Sequence, residues 1–211
     1  MSIEVLHQPT RIAGSLLDEI TVLILTYNEA PNIRQTLGSL SWAHRIVVVD
    51  SFSTDETVET AKGFSNVDVV QRRFDSFARQ CNFGLEQIRS RWVLSLDADY
   101  VVSDELLKEI AALRADDATS GYAVPFRYCI QGKPLRASLY PPRTVLYRTH
   151  GTGYVDDGHG HHVIVNGPTK TLRTWIDHDD RKSLARWLNE QRVVMRGAVG
   201  AASSRYAEFL N

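Results

Sequence analysis

The 211-residue sequence is short of several things, and each shortage narrows the class of protein it can encode. No apolar run approaches the roughly 20 residues that cross a bilayer as a helix, so no membrane span is expected. The opening "MSIEVLHQPTRIAGSLL" lacks a basic start followed by an apolar run, so no secretory signal is read there. Only two cysteines occur, Cys81 and Cys129, without metal-ligand spacing. That excludes a disulfide scaffold or a Cys-rich zinc module and fits a reducing, cytoplasmic setting. Charge of either sign is not in excess: 24 Lys+Arg against 25 Asp+Glu leave a net charge of -1. Such a chain has no general pull toward nucleic acid. Internal repeats and low-complexity tracts are also missing. No GxGxxG or GxxxxGK[ST] follows the first strand-like run, so neither a dinucleotide grip nor a P-loop is expected.

What is present is a strand–helix alternation. "ITVLILT" (Ile20 to Thr26) is too continuously apolar to have a wet face, as expected of a strand covered on both sides. "EAPNIRQTLGSL" has helical spacing at Ile33, Leu37 and Leu40, with Pro31 suited to a first turn. "HRIVVVD" is a second buried strand, and Ser53 to Glu56 has the form of a capping box. "NVDVVQ", a helix over "FARQCNFGLEQI" and the strand "RWVLSLD" follow. This order predicts an α/β fold with a Rossmann-like, mainly parallel sheet flanked by helices. From about Gly121 short β-rich pieces take over, predicting a mixed-sheet extension, and from Asp179 a C-terminal helix is expected. The whole, 1–211, reads as one domain: about 20–120 as one half, 121–178 as the other, and 179–211 as the helix. On a wheel of that helix Arg181, Lys182, Arg186, Arg192 and Arg196 share one side and Leu184, Trp187, Leu188, Val194 and Met195 the other. It is read either as a core helix with a solvated basic face or as a peripheral contact with anionic membrane.

In open α/β sheets ligands bind beyond the carboxyl ends of the strands. Those ends carry Thr26-Tyr27-Asn28-Glu29, then Asp50-Ser51, then Asp97-Ala98-Asp99. Either Asp97 and Asp99 merely close a strand before the helix near Ser103, or they hold a cation. Paired carboxylates repel phosphate directly but bind Mg²⁺ or Mn²⁺, whose charge then bridges to a diphosphate. The joint placement of the three clusters favours the cation.

At this point the sequence resembles a family. "TVLILTYNEAPNI", "IVVVDSFSTDET", "FARQCNFGLE" and "WVLSLDADY" are similar, in order, to the nucleotide-binding half of family 2 glycosyltransferases with the GT-A fold. "LYPPRTVLYR", "DDGHGHH" and "HDDRKSLARWL" look like bacterial members related to the lipopolysaccharide-core β-1,4-glucosyltransferases. The resemblance implies that Thr26, Tyr27, Asn28 and Glu29 line a nucleotide pocket and that Asp50 bonds the uracil imide. It implies Asp97 near ribose and metal, Asp99 as the direct ligand of Mn²⁺ or Mg²⁺ in a DXD motif, and Gln80 and Asn82 beside the nucleotide. Many relatives continue the acidic pair with Glu, where this chain has Tyr100. The implied activity is metal-dependent, inverting transfer of a hexose (glucose, by these relatives) from a UDP-sugar to a lipopolysaccharide-core or lipid-linked glycan.

Inverting transfer needs a base at the acceptor hydroxyl. Candidates cluster in "YVDDGHGHH" and "IDHDDRK". The resemblance places the base in the first cluster, and Asp157 is favoured, with His159 as orienter or alternative base. His159, His161 and His162 lack a Cys or Glu partner at zinc spacing. His178 is read either as a hydrogen-bonded histidine at a helix entrance or as a metal or diphosphate contact. Arg181 belongs to a solvated helix start or offsets phosphate charge, and Arg143 forms an ion pair or meets acceptor phosphate. A sugar nucleotidyltransferase would want a Gly-rich basic loop after the first strand, which is missing. A non-catalytic nucleotide-sugar-binding partner is the rival from another class.

Overall fold

The structure is a computed structural model, and it describes residues 15–114, 118–130, 132–135, 141–157 and 160–183. His159 and the stretch from 184 to 211, with the expected amphipathic helix, lie outside the described residues.

Four strands form the parallel part: β1 (Ile20–Thr26), β2 (Ile46–Asp50), β3 (Val67–Gln71) and β4 (Trp92–Asp97). Between them run α1 (Ile33–Gly38), α2 (Thr57–Lys62) and α3 (Phe77–Glu86). After β4 come β5 (Tyr100–Val102), α4 (Asp104–Ala112), β6 (Gly121–Val124), β7 (Phe126–Ile130), β8 (Lys133–Pro134) and β9 (Arg143–Arg148). A hairpin of β10 (Gly153–Asp157) and β11 (Gly160–Ile164), then β12 (Thr169–Thr171) and β13 (Ile176–His178), complete the described chain. The main sheet has the order β12-β6-β9-β4-β1-β2-β3, and β9 runs antiparallel to both its neighbours. A smaller sheet has the order β5-β13-β7-β8.

Successive side chains on a strand point to opposite faces, and both faces are covered here. Val22, Ile24, Ile46 and Val48 join the larger core with Ile33 and Leu37 of α1 and Leu106 and Ile110 of α4. Leu23, Val47 and Val49 join a second core with Ala78 and Cys81 of α3. Full burial of such aliphatic side chains stabilises the fold by roughly 1.5–3 kcal/mol each. Helix α3 sits so close to the sheet that a Cβ on Gly84 would strike the Leu23 side chain. Burial also pushes the Cys81 thiol up to about 12, so it behaves as a small apolar residue.

In the mixed half, the run "GYAVPFRYCI" breaks at Pro125 into β6 and β7, which enter different sheets. Two local expectations are corrected. Ser53 does not cap α2, because its hydroxyl serves Asn28 N and Asp50, and Asp55 Oδ1 takes the Thr57 N–H instead. Residues 179–183 are irregular rather than the start of a helix. There Asp180 Oδ1 accepts from Lys182 N at 3.0 Å, a local bond that competes with helical hydrogen bonding.

Candidate active site

Because β4, β1 and β2 are adjacent, their carboxyl ends share one edge, with Thr26 in register with Asp50 and Leu25 with Asp97. The loop after β1 is zipped to the loop after β2. Asn28 N donates to Ser53 Oγ at 2.8 Å, Glu29 N to Thr57 Oγ1 at 2.7 Å, and Ala30 N to Asp55 Oδ2 at 3.2 Å. Asn28 adopts φ 55°, which Asn tolerates better than most residues, and its Oδ1 accepts from Thr54 N. Above this edge lies a cleft of about 1330 Å³. Thr26, Tyr27, Glu29, Gln80, Asp97, Asp99, Arg143 and His178, all expected site residues, line it.

The acidic pair forms the floor. Asp99 Oδ2 lies 3.1 Å from His178 Nε2, while Asp99 Oδ1 is buried with no hydrogen-bond partner. His178 is held between Tyr100, edge-on, and Tyr128, tilted, with ring centroids 5.2 and 4.6 Å away. Burial alone would lower its pKa, but the hydrogen bond and charge of Asp99 outweigh that and raise it. Tyr100 is buried against Asp97. Burial and that carboxylate drive its hydroxyl well above the ordinary phenol range, so it remains a proton donor. Among the described residues no three His, Cys, Asp or Glu converge as a self-contained metal site. A Mg²⁺- or Mn²⁺-type site needs no such cage, since one or two carboxylates suffice when substrate phosphates complete the shell. The orphaned Asp99 oxygen fits that arrangement: a buried, unpaired carboxylate oxygen is costly unless something cationic meets it.

Two expected residues stand behind the cleft rather than in it. Asp50 is fully buried, and its carboxylate takes hydrogen bonds from Thr26 Oγ1, Ser53 N, Ser53 Oγ and Gln71 Nε2. A carboxylate offers about four acceptor positions, so none is left for a base edge. The polar group this strand end shows to the cleft is Ser51, held by Gln80 Nε2 at 2.9 Å. Asn82 faces the hairpin: its Nδ2 donates to Tyr154 O and its Oδ1 accepts from Tyr154 N, at 3.0 and 2.8 Å. Arg181 turns away as well, bonding Asp179 through Nε and Nη2. Asp157 ends β10 opposite Gly160 of β11, and this hairpin packs beside α3. Its His161 lines the cleft, stacked on Phe77 with centroids 5.3 Å apart, and burial lowers its pKa.

The cleft lining also includes Phe74, Phe77, Phe126, Tyr128 and Lys182, which the sequence does not mark as site residues. Lys182 falls on the face of an expected helix that does not begin there. The aromatic residues carry no motif that sets them apart from ordinary strand and helix positions.

The strand-end site of an open α/β sheet, with paired carboxylates and no glycine-rich phosphate loop after β1, differs from dinucleotide-binding and P-loop architectures. The family model described as Glycosyl transferase family 2 matches residues 21–173. The chain belongs to that family, and its fold is GT-A. A Rickettsia bellii protein named as a glycosyltransferase is 33% identical over 108 residues, taking in 51% of this chain and 36% of that protein. Glycosyltransferase SunS of Bacillus phage SPbeta is 33% identical over 115 residues, 52% of this chain and 27% of SunS. The chain thus matches about a quarter to a little over a third of the length of these relatives. The crystal structure of Staphylococcus aureus TarS 1-349 with UDP-GlcNAc superposes with a TM-score of 0.59 at 19% identity, covering 78% of this chain and 59% of that one. No helix among the described residues is long and apolar enough to cross a membrane.

Proposed function

We propose that the chain is the donor-binding and catalytic unit of an inverting glycosyltransferase that moves a hexose from a UDP-sugar to a glycan acceptor. The observation that carries this reading is the Asp97–Asp99 pair on the cleft floor, with a buried Asp99 oxygen lacking any partner. Asp99 and Asp97 would hold Mn²⁺ or Mg²⁺, with His178 beside them. The cation, when bound, supplies Lewis-acid stabilisation of the departing diphosphate.

The chain's own residues do the rest. Tyr27 is 55% exposed on the cleft wall and offers its ring to the nucleobase, while Ser51 and Gln80 supply polar contacts at the same end. Asp50 acts from behind, fixing Thr26 and the Ser53 loop. Tyr100 keeps its proton and hydrogen-bonds Asp97. Asp157, with His159, takes the proton from the acceptor hydroxyl. The acceptor oxygen then bonds the anomeric carbon, the bond from that carbon to the diphosphate oxygen breaks, and the electron pair leaves with UDP. Arg143 borders the cleft on the acceptor side. A lipopolysaccharide-core or lipid-linked glycan, with glucose transferred, follows from the sequence resemblance. The basic residues Arg192 and Arg196 support peripheral attachment to the inner face of the membrane, giving cosedimentation with anionic but not neutral vesicles at low salt.

Calorimetric titration with UDP, with and without Mn²⁺, tests the reading. Binding that requires the metal, and UDP release from one UDP-hexose in the presence of a glycan acceptor, is the expected result. Metal-dependent UDP binding with no turnover on any acceptor would instead favour a non-catalytic nucleotide-sugar-binding partner. No UDP binding would overturn both.

A further inference from the structure

The segment after β13 runs beside the cleft, to which it contributes Lys182. Asp179 N donates to Asp99 O at 3.0 Å, and the Asp179 carboxylate accepts from Gln35 Nε2 and Gly132 N. Asn32, buried at the start of α1, donates from Nδ2 to Asp180 Oδ1 and accepts the Arg181 N–H. These bonds fix the backbone and deliver the next side chain, Lys182, into the cleft. Its Nζ lies 2.6 Å from Glu29 Oε1, with only 9% of the Lys182 side chain and 14% of the Glu29 side chain exposed.

A buried ion pair recovers little more than its own desolvation, so it is weak ground for stability alone. This one stands at the strand-end edge, where the cleft shows Asp97, Asp99 and Glu29 to a ligand whose diphosphate is itself strongly anionic. Among the described cleft residues the basic side chains are Arg143, His161, His178 and Lys182. His178 is committed to Asp99, His161 is buried against Phe77, and Arg143 reaches toward Tyr100. Lys182 differs in having a compact charge on a long, flexible stem. Glu29 has a second tether, accepting from Asn32 Nδ2 at 2.8 Å through Oε2, so it keeps a partner if the lysine swings away.

We propose that the Lys182 ammonium group is a diphosphate contact parked on Glu29, exchanging that carboxylate for a phosphate oxygen when a nucleoside diphosphate enters. The inference rests on the nucleotide-sugar reading above. A charge-assisted hydrogen bond of this kind is worth about 10- to 100-fold in affinity.

The test compares UDP with uridine, which lacks the phosphates, by calorimetry on the full chain. Lys182→Met should weaken UDP by about 10- to 100-fold and leave uridine unchanged, whereas Glu29→Gln, which frees the lysine, should tighten UDP relative to uridine. If Lys182→Met unfolds the protein, the charge-balanced Glu29→Gln/Lys182→Met pair carries the same comparison. Equal loss of UDP and uridine, equal loss in Glu29→Gln and Lys182→Met, or no loss in Lys182→Met would each overturn the proposal. Failure of the wild-type chain to bind UDP would overturn the nucleotide reading itself, and this contact with it.

Discussion

His178 Nε2 stands 3.1 Å from one oxygen of Asp99, and the other oxygen of that carboxylate is buried with nothing to meet it. The two residues are 79 positions apart, joined because β13 pairs antiparallel with β5 and sets His178 opposite Tyr100. The half-satisfied carboxylate is the chemical opening in the cleft floor. Asp99→Asn should keep the fold but abolish Mn²⁺-dependent UDP binding and lower transfer by about 10²-fold or more, the scale of losing one preorganised electrostatic group. Unchanged metal-dependent binding in that variant would remove Asp99 from the metal role.

The same pair predicts a pH effect on stability in metal-free buffer. The folded-state pKa of His178 is raised, so its protonated form is favoured by folding. The stabilisation is therefore full below the ordinary histidine value of about 6.5 and is lost as pH rises through the folded value. Melting temperatures of wild type and His178→Asn should differ most at pH 5–6 and converge toward alkaline pH. A gap that widens with pH would show that His178 is held by something other than its proton.

Asp157→Asn preserves shape while removing a proton acceptor. Turnover should fall by about 10²–10⁴-fold with UDP affinity nearly constant. Near-normal turnover there, with an inactive His159→Ala, would transfer the role to the histidine.

Asp50 should behave as a structural hub. Replacement by Ala strands the Thr26, Ser53 and Gln71 donors, a loss of about 2–4 kcal/mol in urea unfolding. A variant with wild-type stability and selectively lost UDP binding would put the carboxylate back in contact with the base.

Gly84→Ala should lower stability by about 1–3 kcal/mol, because its new methyl group meets Leu23 in a filled core. Adding Leu23→Ala should recover part of that loss, and strict additivity of the two would contradict the contact.

Much of the parallel half was legible because strands buried on both faces must be continuously apolar, as in "ITVLILT" and "IVVVD". Carboxylates that close such runs stand out against that background, which is what marks Asp97 and Asp99 as candidates, and both line the cleft. What was hidden depends on partners far away in sequence. Nothing in the order of residues around Asp50 shows that Thr26 and Gln71 will fill its lone pairs. Lys182 looks like one of several basic residues in the sequence, because Asn32 and Gln35, which hold Asp179, Asp180 and Arg181 just before it, lie about 150 positions earlier. Pro125 was visible as punctuation, but not that it hands the chain from one sheet to another.

Asn82 makes both its hydrogen bonds with the peptide groups of Tyr154, so an α3 side chain stands in for a neighbouring strand along the hairpin that ends at Asp157. The consequence is one of inheritance. The hairpin cannot be exchanged among relatives as a free cassette, because its anchor is encoded some 70 residues upstream. A graft of residues 153–164 from another member should seat only when the matching residue 82 travels with it.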